Sequence, residues 1–140
     1  MRRLVIQVLT IAGAACQPPL GPCAPETSVA GIWRYAGLQD ASGPVQLSGT
    51  LEVSSESCEG FQGRLDVVEV NELGSRRLAG PVAGRVLSRT SVRFDAFLAV
   101  APRQHVASLA TGTLEGSWVA VGSGTEPSVT GSFTAHRESP

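Results

Sequence analysis

A chain of 140 residues holds one domain of ordinary size. Its 16 Gly and 9 Pro, set against four Phe and one Tyr, suit a turn-rich β protein better than a helical one. The eleven basic residues, all Arg, meet twelve acids for a formal charge of −1, and no basic patch forms along the chain, which argues against nucleic acid as a partner.

Met1-Arg2-Arg3 opens the chain with positive charge, and residues 4–15 form an apolar run diluted by Gln7 and Thr10 that ends in Ala12, Gly13, Ala14 and Ala15. That is the layout of a secretory signal over residues 1–15, and the run is too short to span a bilayer. Cys16 follows directly. Gly13-Ala14-Ala15-Cys16 resembles the lipobox of bacterial lipoproteins, in which the Cys becomes the lipidated first residue, with Gly13 standing where Leu is usual. The resemblance implies attachment to a membrane through lipid on Cys16 and a place in the bacterial cell envelope. Ordinary cleavage near Ala12–Ala14, giving a soluble periplasmic or secreted protein, is the alternative.

Residues 16–28 carry four prolines, a stretch that suits neither a helix nor a central strand and reads as an extended tether. Three Cys in an exported chain leave one over. With Cys16 lipidated, Cys23 and Cys58 remain as a pair. A bridge between them would close about 36 residues and contribute roughly 3–4 kcal/mol by loop entropy. Two free thiols are the alternative.

The domain, residues 29–137, is organised around one recurring pattern: apolar, any, Gly, any, apolar. It reads Val29 to Trp33, Leu47 to Leu51, Phe61 to Leu65, Leu78 to Val82, Leu114 to Trp118 and Val129 to Phe133. Strand alternation puts both apolar residues and the Gly on one face. In chain order, strands are expected at 31–38, 45–54, 61–70, 77–86, 91–100, 104–110, 113–121 and 128–136. Turn chemistry lies at 39–44, 55–60, 71–76, 101–103, 111–112 and 122–127. The sixth strand alternates weakly; Phe97 in the fifth falls on the outer parity. Eight short strands with one apolar face and no helix to cover it predict an all-β fold, an eight-stranded antiparallel up-and-down β-barrel. A β-sandwich is the runner-up. The inward glycines either let the wall bend and approach itself closely or keep the middle of the barrel open for a ligand.

Catalytic chemistry is sparse. There is no nucleophile elbow, phosphate-cradling loop or zinc-protease motif. His105 and His136 are isolated and read as surface residues, so no metal site and no cofactor are expected. Glu52, Glu115 and Asp66 face solvent, and Glu69 has core parity at a strand end, where a rim position is natural. The large core-parity side chains are Trp33, Tyr35, Trp118 and Phe133. They pack the core or, with Tyr35 as the polar handle, line an apolar ligand pocket.

Gly31-Ile32-Trp33 at the start of the domain and Arg137 after its last strand resemble the end-closure of calycin barrels, the lipocalin and avidin-type folds. The resemblance implies that Trp33 packs under Arg137 and closes the barrel by a cation–π contact. The Gly repeats also resemble small bacterial envelope lipoproteins. The expectation is a binding or interaction module of the envelope, not an enzyme, that holds a small apolar ligand or docks an envelope protein. The alternatives are a solid-core structural lipoprotein working through loops 55–60, 71–76 and 122–127, and a barrel isomerase or cyclase.

Overall fold

The structure is a computed structural model, described here for residues 27–40, 43–122, 124–125 and 128–138. The expected signal segment, Cys16 and Cys23 lie outside the described residues. Eight strands follow in order: β1 Gly31–Gln39, β2 Val45–Ser57, β3 Gly60–Asn71, β4 Gly74–Ser88, β5 Ser91–Phe97, β6 Pro102–Ala110, β7 Thr113–Ala120 and β8 Val129–Arg137. Each pairs antiparallel with the next, and β8 returns to β1, so the sheet is a closed barrel and not a sandwich. The closing seam runs from Trp33 opposite Arg137 to Gln39 opposite Gly131. Closure pairs both edges, which removes the open edge that an eight-stranded sheet would otherwise present.

The two ends differ. At one end the strands turn through two residues each, Cys58-Glu59, Arg89-Thr90 and Thr111-Gly112. The other end carries the longer connections 40–44, 98–101 and 121–128, together with the tight turn Glu72-Leu73. The expected working loops at 55–60 and 71–76 are therefore much shorter than the sequence suggested. The β2–β3 ladder runs to Ser57 opposite Gly60, and the β3–β4 ladder to Asn71 opposite Gly74. Strand pairing extends further than the turn-forming residues Ser, Gly and Asn imply.

Alternate residues of every strand enter one shared interior. Leu47, Leu51, Leu65, Val67, Leu78, Val82, Val92, Phe94, Leu114 and Phe133 are all buried there. So are Trp33, Tyr35 and Trp118, each at most 1% exposed. Small eight-stranded barrels are filled in this way by their own side chains.

The repeated glycines stand where neighbouring strands press closest. A methyl group on Gly63 would fall well inside the van der Waals radius of the Glu52 carbonyl oxygen on β2, and one on Gly116 would strike the Val106 carbonyl on β6. These positions face backbone, not empty space, so close approach and bending of the wall account for them. Gly31 differs: no atom crowds its face, and it takes a positive φ of 124° where the chain enters β1.

Candidate functional site

At the end with the short turns the barrel is shut. The Arg137 guanidinium lies 4.6 Å from the Trp33 ring centroid, and Trp33 Nε1 donates to the Val29 carbonyl at 2.9 Å. Arg137 also donates to the Ser28 carbonyl at 2.6 Å. The Glu56 carboxylate accepts from the Val29 and Ala30 amides at 2.8 and 3.1 Å and from the Ser28 hydroxyl. Residues 28–30 are thereby strapped across this end. Cys58 is exposed two residues beyond Glu56, in the β2–β3 turn.

The middle of the barrel is aromatic and includes a residue that the sequence placed elsewhere. His105, expected at the surface, is fully buried. Its ring stacks on Phe94 at 4.3 Å between centroids and meets Phe133 edge-on at 5.1 Å. Its Nδ1 is 3.1 Å from the Arg103 carbonyl, which can only accept, so Nδ1 carries the proton. Nε2 then accepts from the Tyr35 hydroxyl at 3.2 Å. Burial pushes the imidazole down to about 3, with the nearby Arg103 charge adding repulsion and the Arg103 carbonyl opposing both. Burial likewise pushes the Tyr35 hydroxyl well above its usual range. Tyr35 also stacks on Phe133 at 5.2 Å.

The other end is the mouth. Glu69 on β3 is paired across the ladder with Arg76 on β4. One of its oxygens accepts from Arg76 at 2.7–2.8 Å, and the other from Arg103 of β6 at 3.1 Å. Glu69 and Arg103 are buried, whereas the Arg76 side chain is 53% exposed. The Arg103 guanidinium also lies over the Trp118 ring, 4.4 Å from its centroid. The barrel thus carries a guanidinium on an indole at both ends. The Trp118 Nε1–H is buried and has no acceptor among the described residues.

Above this layer lies a recess of about 200 Å³. Leu78, Leu98, Ala120 and Val129 form its apolar walls, and Arg76 and Arg103 give it charge. Among the described residues, six of the ten exposed large apolar side chains lie toward the same end, Leu38, Val70, Leu73, Phe97, Val100 and Val121, whereas Ile32 and Leu87 lie toward the closed end. Leu73 is 97% exposed. An apolar recess with a few convergent polar groups is the general form of a small-molecule site.

Trp33, Tyr35, Trp118 and Phe133 are all buried in the interior, but only Tyr35 and Phe133 stack on each other; Trp33 lies at the closed end and Trp118 toward the mouth, and none of them lines this recess. His136 is exposed, with Nδ1 3.3 Å from the Thr113 hydroxyl. Glu52 and Glu115 face outward, and Asp66 is partly exposed and paired with Arg77 on β4. The Arg77 guanidinium holds the Asp66 carboxyl below its ordinary value.

No protein-family model and no curated protein matches the sequence. Solved structures of similar shape are small β-barrels. The fluorescence-activating barrel EF1p2_mFAP2b, bound to DFHBI, matches with a TM-score of 0.61 at 10% identity, over 78% of this chain and 93% of that one. The redesigned β-barrel mFAP1, also bound to DFHBI, gives 0.58 at 10% identity, over 77% and 94%. A de novo designed fluorescence-activating β-barrel gives 0.51 at 14% identity, over 78% and 93%. At these identities the likeness is one of fold alone: a closed antiparallel β-barrel.

Proposed function

We propose that this protein is a binding module whose barrel takes a small apolar ligand at its mouth. The observation that carries the reading is the 200 Å³ recess, apolar-walled and flanked by exposed Val100 and Val121, at the end that no strap closes among the described residues. Trp33, Tyr35, Phe94, His105 and Trp118 fill the interior beneath it, so the ligand sits in the mouth and does not reach the centre. Barrels of the same architecture are known bound to DFHBI, which supports a ligand at such a position.

A neutral fluorescent probe, N-phenyl-1-naphthylamine, tests this directly. It should brighten on the wild-type protein, and Ala120→Phe, which fills the recess from β7, should weaken its binding by about tenfold or more. Failure of the wild type to bind, or equal binding by Ala120→Phe, would leave the solid-core structural role as the better reading.

We further propose that the protein is exported and held in the bacterial cell envelope by lipid on Cys16. The support is the charged and apolar start of the chain and the small residues before Cys16. Ser28, where the tether joins the domain, lies at the closed end, so an anchored barrel would present its mouth away from the attachment. Palmitate fed to expressing cells should label the wild type and not Cys16→Ala. Unlabelled protein recovered free in the periplasm would sink the anchor.

A further inference from the structure

We propose that the mouth selects ligands that carry a carboxylate on a small apolar body. This rests on the mouth reading above and adds the chemical class of the ligand. Two guanidinium groups, those of Arg76 and Arg103, share the single carboxylate of Glu69, each holding a different oxygen. Counted with Glu69, which pairs with both, the two guanidinium groups that line the recess leave one positive charge over. Among the described residues, the other acids at this end do not restore the balance. Asp40 accepts from the Thr130 hydroxyl at 3.0 Å, and neither it nor Glu72 lines the recess.

The polar lining points the same way. Arg76 and Arg103 offer only donors there, and Gln39 adds an amide that both donates and accepts. An amine would add more donors and more positive charge, and a neutral alcohol would leave the surplus charge unmatched. A carboxylate adds only acceptors, neutralises the surplus charge, and presents two oxygens to a planar guanidinium fork. The apolar walls lower the local dielectric, which strengthens such a contact relative to one on open surface.

Arg76 is the residue placed to exchange partners. It is half exposed, whereas Arg103 is held between Glu69 and the Trp118 face. A ligand carboxylate can therefore meet Arg76 at the lip while Glu69 keeps Arg103 satisfied below.

The test is a matched pair of probes, 2-naphthoate and 2-naphthalenemethanol, which share a ring system and differ in charge. By isothermal titration calorimetry on the full domain, naphthoate should bind about tenfold more tightly than the alcohol. Arg76→Gln should lose about tenfold in naphthoate affinity and bring its preference for naphthoate over the alcohol close to one. Added salt should weaken naphthoate alone. Equal affinities for the two probes in the wild type, or unchanged naphthoate binding in a folded Arg76→Gln protein, would overturn the inference while leaving the mouth reading intact. Binding of neither probe would overturn both. Should Arg76→Gln not fold, the wild-type probe ratio and its salt dependence decide.

Discussion

Gly116→Ala should unfold the barrel, or lower its stability by about 3 kcal/mol or more, although it adds one methyl group. The methyl would occupy the space of the Val106 carbonyl oxygen and press on Ala107 Cα, both backbone atoms of the adjacent strand β6. A crowded side chain can rotate away; a backbone inside a hydrogen-bonded ladder cannot move without breaking it. Here β6 and β7 are paired from Arg103 opposite Ala120 to Ala110 opposite Thr113, so separating them at Gly116 strains the whole ladder. Gly63→Ala should do the same on the far side of the ring, against the Glu52 carbonyl on β2. The two sites share no partner, so their effects should add, as distant substitutions do. Ser48→Ala, an outward position beside Gly49, is the control and should stay within about 0.5 kcal/mol of wild type. Urea unfolding midpoints with unchanged slopes would measure all of these. A Gly116→Ala protein as stable as wild type would mean that the glycine guards open space and not a close contact, and the account of wall curvature would fall.

The barrel was legible in the sequence because its signal is redundant. Six copies of the apolar-Gly-apolar pattern and clean alternation in β2, β3 and β8 all assign the same face inward. The site was much less legible, and β6 shows why. Its inward residues are Arg103, His105, Ala107 and Leu109, while Val106, the bulkier apolar residue, points out and is 52% exposed. Hydropathy alone therefore reads this strand upside down or not at all. The turn at Thr111-Gly112 held the missing information. A two-residue hairpin there places Leu109 opposite Leu114, and counting back puts Ala107 opposite Gly116, His105 opposite Trp118 and Arg103 opposite Ala120. Register carried outward from a tight turn would have put both polar side chains inside the barrel. Arg76 was hidden differently. The Gly-Ser-Arg run at 74–76 looks like a turn, yet the ladder extends through it and sets Arg76 beside Glu69. A carboxylate with core parity at a strand end was itself a pointer to a buried partner, and the parity of Glu69 was visible from the start.

Acid should destabilise the protein well before its carboxylates titrate, and His105 should be the cause. In the unfolded chain a His takes up a proton near its ordinary value of about 6.5. In the folded barrel His105 resists protonation until about 3, because desolvation penalises the imidazolium and Arg103 repels it. Between those values the unfolded state binds one more proton than the folded state, so stability falls as pH falls, by up to about 1.4 kcal/mol per unit. From neutrality down to about pH 4 the loss should be on the order of 3 kcal/mol, a large part of the stability of a domain this size. His105→Gln isolates the effect. The amide can keep a hydrogen bond to Tyr35 but cannot titrate, and it gives up the stack on Phe94, so the variant should be the less stable protein above about pH 7. As the pH is lowered, the gap between the two should close, because only the wild type bears the cost of the imidazole. Carboxylates such as Asp66, whose stabilising ion pair is lost only at lower pH, are common to both proteins and cancel in the difference. The alkaline side has its own marker. Tyr35 is the one tyrosine in the chain and its ionisation is suppressed by burial, so stability should fall once the pH passes its ordinary value of about 10, with the phenolate appearing in the ultraviolet spectrum only as the barrel unfolds. Urea midpoints for wild type and His105→Gln that run parallel from neutrality to about pH 4 would show that the imidazole is not held neutral in the folded state, and the packing of His105 between Phe94, Phe133 and Tyr35 would need to be redrawn.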